Sequence, residues 1–182
     1  LSLGEFIITI KNNKLINYGN RGMTLEQDIN LTNNYYLDKN IALIYKKPTP
    51  IKVLKVNETK TRIKDGFYEQ KSTLDYNGIY QGKYLEFDAK ETNSKTSFPL
   101  SNIHTHQIEH IKNVLKYQGI AFLIIRFNYH NKTFILPGSN LINFINTNSR
   151  KSIPYEYFTN NCKVVSLKYN PRLDYLKLID IL

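Results

Sequence analysis

Asp75, Glu86, Asp88 and Lys90 fall within one stretch, STLDYNGIYQGKYLEFDAKET, running from Ser72 to Thr92. It reads as two short strands joined by a turn at Asn77-Gly78. On a strand from Lys83 to Glu91 the side chains alternate. Glu86, Asp88 and Lys90 then share one face, while Leu85, Phe87 and Ala89 point the other way into a core. The partner strand sets Asp75 beside the acids. Carboxylates gathered this closely repel one another unless a proton or a cation intervenes. Oxygen donors without a thiolate suit Mg²⁺ or Mn²⁺ better than zinc. Such an ion would acidify a water and neutralise a phosphate, and Lys90 would stabilise the extra negative charge of a pentacovalent transition state. The chemistry in view is metal-assisted phosphodiester hydrolysis. The plain alternative is a salt-bridged face on an exposed strand.

The elements that must position these residues are legible around them. Thr24 and Gln27 have the spacing of a capping box, with Leu25, Ile29 and Tyr36 as the inner face of the helix that follows. IALIYKKPTP (41–50) reads as a buried strand until Pro48 and Pro50 interrupt it. After Pro99, Ile108, Ile111, Val114 and Leu115 recur at helical spacing, with Gly119 as the stop. IAFLIIRFNY (120–129) is the continuous apolar run of a strand covered on both faces. KTFILPG (132–138) pairs with it through a turn near Asn131, and Asn170-Pro171 starts a last helix. Helices alternating with strands predict an α/β domain with a mixed central sheet.

The chain has 182 residues, enough for one domain with a sizeable core, and carries 25 Lys+Arg against 15 Asp+Glu, a formal net charge of +10. An excess of that size favours a polyanionic partner. Half of it lies between Lys46 and Lys71, where eight basic residues face three acidic ones. Within that segment Ile51 and Val53 alternate with Lys52 before the phase slips, which predicts a bulge near Val53-Leu54. Lys60, Arg62 and Lys64 follow at i, i+2, i+4, on one face if extended. An exposed basic arm tracking phosphates accounts for this pattern better than a solvated hairpin. Cys162 is the one cysteine, so an intrachain disulfide is excluded and a reducing, cytoplasmic setting is expected. The opening LSLGEFIITIKNNK is too short in its apolar run to be a spanning helix.

Asp75 followed by Asp88-Ala89-Lys90 resembles the PD-(D/E)XK nuclease core, a short motif. The surrounding words are more specific. GNRGMTLE (19–26), TLDYNGIYQGKYLEFDAKET (73–92), KTSFPL (95–100), HQIEH (106–110) and GIAFLIIRF (119–127) resemble, in order and spacing, the RecU Holliday junction resolvase family. The likeness covers most of residues 18–145 and fades beyond about 146. It implies a restriction-endonuclease-like fold over 1–182, interrupted by a basic stalk at 51–71, and a homodimeric endonuclease acting on four-way DNA junctions in recombination and repair. It further implies a divalent metal, Mg²⁺ or Mn²⁺, held by Thr73, Asp75, Asp88 and Gln107, with Lys90 as transition-state stabiliser. Lys55, Lys60, Arg62 and Lys64 would then meet DNA phosphates, and Phe67 and Tyr68 would stack on bases at the crossover. The family's usual glutamate before Ala-Lys is Asp88 here. That shortens the reach by one methylene, about 1 Å, and Glu86 on the same face is placed to compensate.

Two other readings compete. His106-Gln107-Ile108-Glu109-His110 spells H-x-x-E-H, a zinc peptidase element, with Glu156 as the available downstream ligand. It leaves the basic arm and the acid cluster unexplained. A DNA-binding protein that has lost cleavage would keep the arm and use the acids structurally. Glu26 is placed either to open a helix or to approach the acids from behind, and Cys162 reads as a partly buried small residue.

Overall fold

The computed structural model describes residues 23–68 and 73–179. The opening apolar run and residues 19–22 of the first family word lie outside the described residues. Helix α1 (Leu25–Asp38) begins at the expected capping box: Thr24 Oγ1 accepts from Gln27 N, and Gln27 Oε1 accepts from Thr24 N. Leu25, Ile29 and Tyr36 are buried, as their spacing requires.

A six-stranded mixed sheet forms the centre, in the order β1-β4-β5-β7-β8-β10. Its members are β1 (Ala42–Lys46), β4 (Tyr76–Tyr80), β5 (Lys83–Thr92), β7 (Ile120–Phe127), β8 (Lys132–Pro137) and β10 (Lys163–Val164). Only β5 and β7 run parallel; helix α2 (Thr105–Lys116) lies in the crossover between them. The other four pairings are antiparallel. On one face, Tyr76, Phe87 and Phe122 stack at 4.8 Å centroid spacings and Tyr175 closes on them, beneath α1. On the other face, Leu123, Ile125 and Phe127 pack with Ile111 and Val114 of α2 and with helices α3 (Gly138–Thr147) and α4 (Tyr155–Asn161). The apolar run of β7 is thus covered on both sides, as expected. A small pair, β6 (Ser97–Pro99) with β9 (Ser152–Pro154), sits on this second side. Among the described residues, no helix is long and apolar enough to cross a membrane.

Residues 51–68 leave the sheet. Strands β2 (Ile51–Val56) and β3 (Ile63–Tyr68) pair only with each other, forming an exposed two-stranded ribbon. The register shifts between Val53 and Lys55, where the bulge was expected. Lys60 and Arg62 lie in the tip rather than on a strand, with Lys60 at φ 54°, so they do not share an extended face with Lys64. Asn57 organises that tip by accepting from Thr61 N and Arg62 N through its side-chain oxygen, which bends the chain where the alternation assumed a strand.

Four further expectations are corrected. Asn77-Gly78 is not a turn but the middle of β4, paired with Glu86 and Leu85. The turn is Gln81-Gly82, both at positive φ (50° and 74°), the geometry of a tight two-residue hairpin loop. Gly78 is required instead by the neighbouring strand, because a Cβ there would stand 2.1 Å from Leu43 O. Strand β1 is an edge, not a buried strand: Ile44 faces inward while Leu43 and Tyr45 are exposed. Helix α2 ends at Lys116, and the left-handed residue after it is Gln118, not Gly119. The last described helix, α5 (Leu176–Ile179), starts well past Asn170-Pro171. The intervening chain is bent and held out of a helix, with Arg172 Nε donating to buried Asp28 Oδ1 at 2.9 Å and Leu173 N donating to Thr32 Oγ1.

Candidate active site

Strand β5 places Glu86, Asp88 and Lys90 on the face that meets α2. Tyr76 opposes Phe87 across the hairpin, so Asp75, one residue earlier, comes level with Asp88. Lys47 N fixes that residue by donating to Asp75 O at 2.7 Å. Asp88 is fully buried, and Lys90 Nζ stands 3.1 Å from its Oδ1. Helix α2 supplies Gln107, whose Nε2 donates to Asp88 Oδ2 at 2.5 Å and to Thr73 O at 3.1 Å. One amide therefore sets the Thr73 backbone beside Asp88. Of the expected residues, Thr73, Asp75, Asp88, Lys90 and Gln107 are brought together.

The two buried acids of β5 are treated differently. Oδ1 of Asp88 is buried and faces the Lys90 ammonium without a well-formed hydrogen bond. Burial drives this carboxyl up; Lys90 opposes the rise, Asp75 adds to it by charge and by a hydrogen bond, and the result is a pKa of about 7. Glu86 is equally buried but saturated: Lys47 Nζ and Thr73 Oγ1 donate to Oε1, while Tyr84 OH (2.7 Å) and His110 Nε2 (2.6 Å) reach Oε2. Burial alone would raise it, yet hydrogen bonds from Lys47, His110 and Tyr84, with the Lys47 charge, hold it below the usual carboxylate range. Four donors fill its acceptor sites, so Glu86 has no lone pair left with which to compensate for the shorter Asp88.

The donor set fits a hard divalent cation. Asp75 and Asp88 supply adjoining carboxylates, one oxygen of Asp88 lacks a well-formed hydrogen bond, and the Thr73 hydroxyl and carbonyl lie alongside. Gln107 reaches the site with its amide nitrogen, because its oxygen is engaged by His104 N at the start of α2. Among the described residues the zinc arrangement is absent: His110 is committed to Glu86, and Glu109 is exposed and paired with Lys112. Glu26 does not join the acids; it pairs with Lys46 at 2.6 Å. Cys162 is partly buried, and burial pushes its thiol up to about 12, as suits an inert small residue.

The nucleic-acid candidates sit apart, on the ribbon. Lys55 lies on β2, Lys60 and Arg62 at the tip, and Lys64, Phe67 and Tyr68 on β3. Phe67 is half exposed, with Lys52 Nζ 5.9 Å from its ring centroid on the opposite strand. Lys47, Tyr84 and His110 are the site residues that sequence reasoning missed. The available signal was positional: Lys47 directly follows the strand that pairs with β4, and His110 lies one helical turn beyond Gln107.

A site of this kind, two adjoining acids and a lysine on an interior strand pair of a mixed sheet, holds the groups that metal-assisted hydrolysis requires. Comparison with known proteins specifies it further. The model of the family "Recombination protein U", RecU, matches residues 20–181, so the likeness runs on through the tail where it had been expected to fade. Proteins called Holliday junction resolvase RecU are 46% identical over 170 residues in Bacillus cytotoxicus (90% of this chain, 85% of that protein). The corresponding protein of Oceanobacillus iheyensis is 47% identical over 169 residues (90% and 86%). Among solved structures, Archaeoglobus fulgidus Hjc, a Holliday junction resolvase, is a distant match. Its TM-score is 0.42 at 9% identity, over 74% of this chain and 89% of that one. The chain belongs to the RecU family.

Proposed function

We propose that this protein is a structure-selective endonuclease that cleaves four-way DNA junctions by metal-dependent phosphodiester hydrolysis. The observation that carries the reading is the buried Asp88 carboxylate beside Asp75, its Oδ1 without a well-formed hydrogen bond and the Lys90 ammonium 3.1 Å away. A cation placed between such carboxylates favours their ionised form. Family membership supports the substrate, since the relatives are named as Holliday junction resolvases.

Asp75 and Asp88, with Thr73, would hold Mg²⁺ or Mn²⁺, which when bound lowers the pKa of a water and offsets phosphate charge. Lys90 stabilises the charge that builds on the phosphoryl oxygens as water adds to phosphorus. The P–O3′ bond then breaks and the 3′ oxygen takes up a proton, leaving a 5′-phosphate and a 3′-hydroxyl. Gln107 keeps Asp88 and the Thr73 backbone in register with each other. The ribbon, with Lys55, Lys60, Arg62 and Lys64 on its surface, tracks phosphates, and Phe67 and Tyr68 stack on exposed bases.

We further propose a homodimer, so that two sites nick opposing strands. Ile51, Val53, Val56 and Ile63 are all exposed on a ribbon that pairs with no other strand. A two-stranded ribbon is marginal alone, and a second copy would cover those residues. The single cysteine and the DNA substrate support a cytoplasmic location. The direct test compares cutting of four-way and linear duplex DNA in Mg²⁺ and in Mn²⁺. Equal cutting of both substrates removes the structure-selective reading, and no cutting in either ion leaves a junction binder.

A further inference from the structure

Lys47 and Glu86 belong to none of the roles described above, yet both close on the segment that carries Thr73 and Asp75. That segment lies outside β4 and has no strand of its own to hold it. Lys47 grips both of its ends. Its backbone N–H donates to Asp75 O, and its ammonium donates to the Thr73 hydroxyl and to Glu86 Oε1. An ammonium can only donate, so Thr73 Oγ1 accepts from Lys47 and spends its own proton on Glu86 Oε1 at 3.0 Å. One lone pair of Oγ1 is then left over. Glu86 is in turn immobilised from α2 by His110 and from its own strand by Tyr84. The same helix grips Asp88 through Gln107, so two successive turns of α2 lock onto alternate residues of β5.

We propose that Glu86 and Lys47 are positioning residues: by fixing the hydroxyl proton of Thr73, they aim its remaining lone pair at the Asp75–Asp88 cation site. This rests on the nuclease reading, since it assigns Thr73 as a neutral ligand of that site. Groups that orient a metal ligand in this way typically contribute tenfold or more to metal affinity. Glu86 is not a ligand itself, because its acceptor sites are filled.

The test is a double-mutant cycle on Mn²⁺ affinity, measured by calorimetry on the whole chain without DNA. Glu86→Gln replaces an acceptor by an amide, and should weaken Mn²⁺ binding about tenfold or more. In a Thr73→Val background, where no hydroxyl remains to orient, the same change should cost less than about twofold. Equal losses in both backgrounds would make Glu86 a ligand in its own right and overturn the proposal, as would unchanged affinity in the single variant. Should Glu86→Gln fail to fold, as judged by its thermal melt, Lys47→Met enters the same cycle. It removes a donor from both Thr73 and Glu86 while sparing the backbone clamp, and the same two outcomes decide. A wild type that binds no Mn²⁺ sinks both readings. One that binds Mn²⁺ without cutting four-way DNA sinks only the nuclease reading, and the cycle still decides the positioning roles.

Discussion

Within the acid site every charged group is buried or half-buried and held by its neighbours, whereas the charges of the β2–β3 ribbon stand in solvent. Glu86 alone receives four donors, from its own strand, from α2 and from two connecting segments, and Lys90 is held against Asp88. Lys55, Lys60, Arg62 and Lys64 are all exposed, on the strands and the tip of that ribbon. The two regions therefore do different electrostatic work. The buried site is built to act over one or two bonds, at low dielectric and fixed geometry. The ribbon is built to act over a Debye length, with weak geometric demands and strong dependence on salt. Substitutions in the first should change rate and metal binding, and substitutions in the second should change affinity and its salt slope.

The largest expected effect comes from the buried acids. Asp75→Asn or Asp88→Asn should lower cleavage of four-way DNA by about a thousandfold or more, because each removes a carboxylate that the cation requires. Junction binding in low salt should survive, since the ribbon is untouched. A gel assay that scores binding and cutting on the same substrate separates the two. Loss of binding along with cutting would erase the division between the regions.

The next effect is on stability. Asp88 lies near pH 7 in the folded protein against an ordinary value of 3.8. The protonated form is thus the one that folding favours when no cation is present. Its contribution is complete below pH 3.8 and is lost as pH rises toward 7, amounting to a few kcal/mol. Glu86 works in the opposite sense, contributing stability above its ordinary 4.5 that is lost only as pH falls. The window from pH 5 to 8 therefore separates Asp88 from Glu86. In EDTA the melting temperature should fall across that window, Asp88→Asn should flatten the fall, and saturating Mg²⁺ should oppose it. A flat profile in the wild type would mean that Asp88 is ionised without help, and that the site needs no cation.

Much of this contrast is legible in the sequence, and the failures have a common cause. The acid face of β5 follows from period-two alternation, because a strand fixes which residues share a side. Tyr36 and Ile29 could be placed in the core because a capping box at Thr24 sets the phase of α1. Where sequence reasoning misplaced something, a tertiary neighbour had overruled a local signal. Asn77-Gly78 is a strong turn dipeptide, yet Gly78 is there because the backbone of β1 lies against it. Asn170-Pro171 looks like a helix start, yet Arg172 is drawn onto Asp28, which lies more than a hundred residues away in the chain. The Glu86 partners were invisible for the same reason, since Lys47, Tyr84 and His110 converge only through sheet pairing and the crossover helix.

Neutralising the ribbon should produce a smaller effect than either acid test. Replacing Lys60, Arg62 and Lys64 together by Gln should weaken junction binding by roughly ten- to a hundredfold near 0.1 M salt. It should also reduce the slope of log affinity against log salt by about 0.9 for each phosphate contact removed. The melting temperature and Mn²⁺ binding should not move, because these side chains pack against nothing in the sheet. Unchanged affinity in low salt would take the ribbon out of DNA recognition.

Phe67 offers the finest test, because it lies on the ribbon yet should not behave like its charges. The ring is half exposed and stands opposite Lys52. An exposed aromatic on a basic strand gains little from the fold, whereas stacking on a base is worth about 1–3 kcal/mol. Phe67→Leu keeps an apolar side chain in the strand but removes the flat face. Binding to a junction should weaken by about five- to tenfold, toward the lower end of that range, while the salt slope stays as in the wild type, since no counterion is released or retained by the change. Binding to a plain duplex, which presents no unstacked base, should be unaffected. If the slope fell together with the affinity, Phe67 would be acting through Lys52, and the ribbon would be electrostatic throughout. If duplex binding weakened equally, the ring would serve the ribbon's own structure rather than the crossover.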